Sequence, residues 1–265
     1  MNIKRLSDVT PYENLDVTTT AILNENNISI AEFQEKIPDY FDKTLYQDFG
    51  IVGAQVPTID NLKFLEKISP LKNTQAFIDF IEKHRNEKIC IIGDYDVDGV
   101  FSTLIMCVGL LSIGINVEHV IPQRITDGYS MKSLHVDRAI EKGATAIITV
   151  DNGIGTKEAV DYALEKGLSV LITDHHLPTE DCLPQGVDII DPKYNGDEFS
   201  DICGAAVAFK LIIEYYKRNN MLGSSKIKLL LNELIFYAAC ATMTDNMPAI
   251  GENRFLLRQG LQVHL

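Results

Sequence analysis

The feature that most constrains this sequence is the position of its acidic and histidine clusters, which follow directly after short apolar runs. The acidic segment GDYDVDG (residues 93–99) follows the run Ile89–Ile92, and Asp151 follows the run Thr145–Val150. The segment TDHH (residues 173–176) ends another apolar run. In open α/β sheets, ligands bind beyond the carboxyl ends of the strands. If these runs are strands of one sheet, the clusters are predicted to converge at one edge.

Apolar β-branched runs alternate with segments of helical periodicity, which predicts an α/β fold. The predicted strands are Ile89–Ile92, Val117–Ile121, Thr145–Val150, Ser169–Thr173 and Val187–Ile190, and the predicted helices are residues 100–114, Lys132–Lys142, Thr156–Lys166, Gly204–Asn219 and Lys226–Thr242. This order favours a doubly wound, mainly parallel sheet with helices on both faces. A dinucleotide-binding protein shares the alternation, but no G-x-G-x-x-G turn follows the first strand.

The segments before the sheet have helical spacing of apolar residues at positions 28–37, 61–68 and 74–84. We therefore predict a helical N-terminal extension over residues 1–75 and an α/β domain over residues 76–250. Residues 251–265 are expected to begin a further helix.

Composition favours a cytoplasmic protein without a broad nucleic-acid-binding surface. The formal net charge is −13, which argues against a large basic face but not against carboxylates gathered around cations. No signal sequence is recognised, and no apolar run approaches the roughly 18 to 20 residues that cross a membrane. The five cysteines form no C-x-x-C pair, which indicates a reduced setting. No membrane partner is expected.

Three carboxylates within five residues, Asp94, Asp96 and Asp98, repel one another unless a cation lies among them. The alternatives are an exposed acidic loop or a calcium loop of the D-x-[DN]-x-[DN]-G type. That loop requires Glu at its twelfth position, which here is Ile105.

The remaining candidate ligands each have an ordinary explanation when taken alone. Asp151 and Asp245 suit turns or helix caps, and the adjacent His175 and His176 suit an exposed pair. Together, aspartate and histidine ligands without cysteine suit Mn²⁺ or Mg²⁺ better than structural zinc. Two such ions sharing a carboxylate can activate water and clamp a phosphate.

Four ordered motifs, GDYDVDG, TVDNG, TDHH and ATMTDNMPAIGENR, resemble those of the DHH phosphoesterase superfamily. The connectors IPQRITDGYSM, CGAAVAFKL and GENRFLLRQGL are similar to segments of its RecJ branch of single-strand exonucleases. The resemblance covers about residues 75–265. It implies the DHH fold and a metal-dependent hydrolase, with Mn²⁺ preferred and Mg²⁺ possible.

The resemblance also implies a role for each matching residue. Six would bind the two metals, with Asp151 bridging them: Asp94, Asp96, Asp98, Asp151, His175 and Asp245. Asp174 would orient His175, and His176 would contact the scissile phosphate or assist the leaving oxygen. Arg124 would contact phosphate, unless it forms a surface salt bridge. Gly204 would direct free N–H groups towards a phosphate, unless it serves close packing.

The implied function is 5′-to-3′ hydrolysis of single-stranded DNA in repair or recombination. Members of this branch continue into a second domain with a G-G-H motif, and these 265 residues contain no G-G-H. A missing C-terminal domain or a separate chain is therefore expected to supply the DNA clamp. The alternatives are a small-substrate phosphodiesterase, acting on short oligonucleotides or cyclic dinucleotides, and a non-catalytic scaffold. Such scaffolds lose ligand residues, whereas every ligand position is filled here.

Overall fold

A computed structural model describes residue 65 and residues 68–128, 130–178 and 180–262 of the chain. These residues belong to one compact unit, Thr58–Leu265. The helix predicted at residues 28–37 and most of the one predicted at 61–68 lie outside the described residues. The domain boundary predicted at residues 75 and 76 stays a prediction.

The described residues contain a sheet of five parallel strands in the order β2-β1-β3-β4-β5. The strands are β1 (Lys88–Ile92), β2 (Asn116–Val120), β3 (Ala146–Val150), β4 (Ser169–Thr173) and β5 (Asp188–Ile190). The chain moves from β1 to one edge at β2 and then crosses back to β3, so its direction across the sheet reverses between β1 and β3. A crevice forms beyond the carboxyl ends at such a reversal. Asp94 and Asp151 follow these two strands.

Helices cover both faces of the sheet and confirm the predicted fold. They are α1 (Thr74–Lys83), α2 (Val97–Leu111), α3 (Ser133–Glu141), α4 (Lys157–Glu165), α5 (Pro192–Asn195), α6 (Gly204–Arg218), α7 (Ser225–Thr244) and α8 (Gly251–Gln262). Helices α3 and α4 bury Val136 and Val160 against one face, while α2 and α6 contact the other. Because both faces are covered, β3 is buried along its whole length and reads as a continuous apolar run.

Helix α2 begins three residues before the predicted start at residue 100. Asp96 is its N-cap, and the Asp96 carboxylate accepts a hydrogen bond from the Gly99 N–H at 2.9 Å. Asp98 lies in the first turn, where the helix dipole favours negative charge. The acidic motif is thus half loop and half helix, rather than the loop that its charge suggested.

Helix α7 corrects the statement that no apolar run could cross a membrane. By length and composition alone it is long enough, with a mean hydropathy of 1.3 over an 18-residue window. It packs, however, against α2, α6 and α8, and it buries Leu231, Leu234 and Ile235. These contacts are those of a core helix.

Two of the motifs that carry the family resemblance bind each other. Lys210 of α6 donates to Glu252 of α8 at 2.6 Å, and both side chains are almost fully buried. The other Glu252 oxygen accepts the backbone N–H of Ser69 at 3.2 Å. These connectors therefore join α6, α8 and the chain preceding α1.

We expect Lys210→Met to destabilise the fold by about 3–5 kcal/mol, because it leaves a buried carboxylate without its partner. The double variant K210M/E252M should lose less than the sum of the single changes. The measurement is urea unfolding at constant pH.

The control is Lys217→Met, which breaks the more exposed Lys217–Glu214 pair on the same helix. That change should cost about 1 kcal/mol or less. If K210M and K217M lower the free energy of unfolding equally, the buried pair stabilises the fold no more than the exposed pair does.

Candidate metal centre

The acidic and histidine motifs converge at the carboxyl edge of the sheet, as the strand pattern predicted. Three groups of side chains offer ligand atoms that lie within 4.8 Å of one another. They are Asp94, Asp96 and Asp151; Asp98, His175 and Asp245; and Asp151, His175 and His176. Asp151 and His175 each belong to two of these groups, so the three groups form one continuous cluster of ligand atoms.

The first motif is held by backbone N–H groups. The buried Asp94 carboxylate accepts the Tyr95 N–H at 2.7 Å. The buried Asp98 carboxylate accepts the N–H groups of Gly204 at 2.7 Å and Ala205 at 2.8 Å, at the start of α6. Each carboxylate oxygen has a second lone pair. Asp98 can therefore hold the helix and still contact a cation.

Asp151 lies at the centre of the cluster in a conformation that few residues adopt. Its φ is 58°, in the left-handed region that Asp and Asn tolerate better than other side chains. Burial raises the pKa of Asp151 well above its usual range, and the negative charges of Asp98 and Asp174 raise it further. The charged form is costly here unless a cation is bound.

His175 directs its ring into the cluster. Its Nε2 lies 3.0 Å from Asp151 Oδ1, 3.6 Å from Asp98 Oδ2 and 3.8 Å from Asp245 Oδ2. Neither ring nitrogen has a hydrogen-bond partner among the described residues, and the same holds for Asp151 Oδ1 and Asp245 Oδ2. Burial lowers the pKa of His175, which favours the neutral ring that binds metals.

These unsatisfied atoms fit a divalent cation. Adjacent ligands of an octahedral ion, each about 2.0–2.1 Å from it, lie about 3 Å apart. The separation of His175 and Asp151 has this value, although the two atoms do not hydrogen-bond. Buried polar atoms without partners are costly. A cation between them would remove that cost.

Asp174 contacts His175 through the backbone and not through the ring: its Oδ1 accepts the His175 N–H at 2.7 Å, and neither ring nitrogen has a partner among the described residues. Its Oδ1 lies 2.8 Å from Nδ1 of His176, and its Oδ2 accepts the Ile154 N–H at 3.0 Å. The reason is the turn after β4, in which Oδ1 of Asp174 also accepts the His176 N–H at 3.3 Å and so brings His176 beside the carboxylate. Hydrogen bonding to Asp174 raises the pKa of His176.

Asp245 reaches the site from the far end of α7, where it is the C-cap. Its side chain is partly exposed, and burial together with Asp98 and Asp96 raises the pKa of Asp245 to about 6. The sequence placed Asp245 some 70 residues after the histidine motif, and the fold brings it to within 3.8 Å of His175.

Arg124 lies in an exposed loop beside the first motif. Its guanidinium carbon is 5.5 Å from the centre of the Tyr95 ring, a cation–π contact. Arg124 forms no salt bridge with another described residue. The same loop is anchored by the buried Asp127, which binds Arg138 at 2.6 Å. The anchor leaves the Arg124 cation available at the rim.

Gly204 serves close packing rather than an open anion site. Its N–H is already used by Asp98 at 2.7 Å. A Cβ at this position would lie 2.5 Å from Cβ of Asp151 and 2.8 Å from its Oδ1. In this arrangement the expected contact between the Gly204 N–H and a phosphate is blocked.

Two residues after β5 escaped the sequence analysis. Asp191 ends its strand as Asp94, Asp151 and Asp174 end theirs, and its side chain is fully buried. Burial raises the pKa of Asp191 to about 6. The strand-end rule would have found it. Lys193 follows it, and a single lysine carries no recognisable sequence signal.

Comparison with known proteins places this geometry in a family. Residues 88–238 match the DHH family, N-terminal domain. The chain belongs to the DHH family. The match and the relatives described below indicate a metal-dependent hydrolase.

Several curated relatives are named single-stranded-DNA-specific exonuclease RecJ. The Salmonella typhimurium protein is 35% identical over 245 residues, which cover 87% of this chain and 41% of the relative. The Bacillus subtilis protein is 38% identical over 180 residues, which cover 67% of this chain and 21% of the relative. The Haemophilus influenzae protein is 35% identical over a match that covers 66% of this chain and 31% of the relative. The chain thus spans less than half of these relatives.

Solved structures agree with the fold. An exonuclease RecJ bound to manganese matches with a TM-score of 0.65 and 31% identity, over 73% of this chain and 48% of that chain. RecJ from Thermus thermophilus in complex with Mn²⁺ matches with a TM-score of 0.61 and 30% identity, over 73% and 27%. The DHH residues of this chain therefore share the fold of proteins that bind Mn²⁺.

Replacing Asp151 with Asn should separate charge from backbone shape, because Asn also tolerates the left-handed conformation. We expect Mn²⁺-dependent hydrolysis to be lost. Without metal, the variant should melt higher than the wild type, by roughly 2–4 °C for each kcal/mol of repulsion removed. The measurements are product formation and thermal unfolding with and without Mn²⁺.

Asp161→Asn is the control, since Asp161 pairs with Lys157 on the surface of α4. It should change neither activity nor the effect of Mn²⁺ on melting. Substantial Mn²⁺-dependent turnover by D151N would contradict a central role for this carboxylate.

Gly204→Ala should weaken Mn²⁺ binding by roughly 10- to 100-fold, because the new methyl group displaces the Asp151 carboxylate. Calorimetric titration with Mn²⁺ measures the change. Gly155→Ala is the matched control, since a methyl group added there would meet no atom within 4 Å. Equal Mn²⁺ affinity of G204A and the wild type would rule out the packing role.

Proposed function

We propose that this chain is a metal-dependent phosphodiesterase that hydrolyses single-stranded DNA from the 5′ end, in DNA repair or recombination. The observation that carries the proposal is the set of three ligand groups linked through Asp151 and His175, in which Oδ1 of Asp151 and both ring nitrogens of His175 are buried without a hydrogen-bond partner among the described residues. The RecJ names of the relatives support the single-stranded DNA substrate.

The proposed metal ligands are the six residues that the sequence analysis named. They are Asp94, Asp96, Asp98, Asp151, His175 and Asp245, with Asp151 as the shared carboxylate. Two bound divalent cations, Mn²⁺ by preference, would supply Lewis acidity and lower the pKa of water. The ligand atoms lie within 4.8 Å of one another in each group, close enough for each group to bind one cation.

His176 is the proposed proton donor to the leaving oxygen. Its Nδ1 faces Asp174, so Nε2 is the nitrogen that would face the substrate. The raised pKa of His176 increases the fraction of the ring that is protonated near neutral pH. Asp174 therefore acts by fixing the ring and stabilising its charge. Arg124, across the site, is the proposed phosphate contact.

Binding of a long DNA strand is proposed to involve protein beyond these 265 residues, either a further domain or a separate chain. The relatives extend well past the matched region. The net charge of −13 makes a strong sequence-independent hold by this chain alone unfavourable. We place the activity in the cytoplasm, where the five free cysteines stay reduced.

The test is hydrolysis of 5′- and 3′-labelled single strands with Mn²⁺, with Mg²⁺ and after chelation. We expect mononucleotide release from the 5′ end with either metal, faster with Mn²⁺, and none after chelation. Dinucleotides assayed in parallel separate a small-substrate phosphodiesterase, which would prefer them to long strands. Metal-dependent cleavage of neither substrate by the wild-type chain would contradict the proposed function.

A further inference from the structure

The turn after β5 is fixed by its own hydrogen bonds. Asp191 Oδ1 accepts the backbone N–H groups of Lys193 at 2.8 Å and Tyr194 at 2.9 Å. Asn195 Oδ1 accepts the Asp191 N–H at 2.9 Å. The Asp191 side chain is fully buried, so the turn is anchored in the core. The backbone of Lys193 is held at the carboxyl edge of the sheet.

Lys193 leaves the sheet beside His176. Strand β5 pairs with β4 in parallel, with Ile190 opposite Thr173. The Asp174 N–H extends this pairing by donating to the Ile190 carbonyl at 3.1 Å. Neighbouring strands lie about 4.8 Å apart. The segment that carries Lys193 is therefore one strand further from β3 than the segment that carries His176.

Lys193 brings a positive charge to the carboxyl ends of β4 and β5. Its side chain is half-buried and forms no ion pair with the described residues.

From this placement we propose that Lys193 binds a phosphate of the nucleic acid that neighbours the scissile phosphate. The inference rests on the proposed function and extends it to a residue outside the metal ligands. Under the proposed function, the scissile phosphate would lie at the cluster of metal ligands, next to His176. The backbone of Lys193 lies one strand further out, where its ammonium would meet the next phosphate along the nucleic acid. Together with Arg124 it would give the strand a cation on each side of the centre.

The test compares Lys193→Gln, Lys193→Arg and the control Lys166→Gln. Lys166 is the C-cap of α4 and precedes the amino-terminal end of β4, away from the metal ligands. Replacing it with Gln changes the net charge by the same amount as K193Q. The first measurement is the Kd of a labelled single strand at several salt concentrations, with Ca²⁺ in place of Mn²⁺ to limit cleavage. The second is Mn²⁺-dependent hydrolysis of the same strand and of bis-p-nitrophenyl phosphate, whose single phosphate has no neighbour.

We expect K193Q to raise the Kd of the strand roughly three- to tenfold, as for loss of one solvent-exposed hydrogen bond. It should also reduce the slope of log Kd against log salt by about 0.7, the value for one phosphate contact on a single strand. KM for the strand should rise with little change in kcat. K193R should restore most of the affinity, and hydrolysis of bis-p-nitrophenyl phosphate should be unchanged in both variants.

Two results would overturn the proposal. In one, K193Q binds and cleaves the strand as K166Q does. In the other, K193Q impairs hydrolysis of bis-p-nitrophenyl phosphate as strongly as that of the strand, which would place Lys193 at the scissile phosphate or in the fold. Failure of the proposed function looks different: the wild type would then cleave no strand, while the effect of K193Q on binding in Ca²⁺ would persist.

Discussion

The arrangement of this site depends on the repulsion among carboxylates that the fold buries together. Asp94, Asp98 and Asp151 are almost fully buried at the point where the strand order reverses. Without a cation, the protein reduces the cost through backbone N–H groups and a raised pKa at Asp151. The hydrogen bonds and the raised pKa remove only part of this cost, because buried oxygens of Asp151 and Asp245 still lack hydrogen-bond partners among the described residues. The remaining cost favours cation binding, since metal ligation is the one change that satisfies all of these atoms together.

The same repulsion explains why sequence far from the acidic motifs is constrained. Asp98 binds the N-terminus of α6, which brings that helix against Asp151. Only a residue without a side chain fits there, so Gly204 follows from the packing of the metal site. Lys210, on the same helix, ties α6 to α8 through Glu252. The connectors CGAAVAFKL and GENRFLLRQGL are therefore supports of the metal centre, and their structural role does not require contact with DNA.

The sequence predicted the sheet and the meeting of the motifs because burial and strand ends leave a periodic signal. Most predicted strand and helix boundaries differ from the structure by one or two residues. The start of α2 differs by three, because Asp96 and Asp98 look like loop residues until their helix-capping role is seen. Asp174 was expected to orient His175, but the ring that it contacts is that of His176, because the turn after β4 brings His176 beside the carboxylate. Lys193 could not be found, since its importance depends on which strand lies beside β4.

The residues proposed for catalysis and those proposed for binding the nucleic-acid strand lie on different parts of this fold. The groups proposed to bind cations and to move a proton sit at the ends of β1, β3, β4 and α7 and hold one another in place through buried contacts. The cations proposed to hold a strand, Arg124 and Lys193, sit on a loop and a short turn at either side. Changes at these two positions can alter which phosphates are held without disturbing the buried carboxylates. Differences in substrate among proteins with this domain can therefore arise at the rim, while the metal centre stays the same.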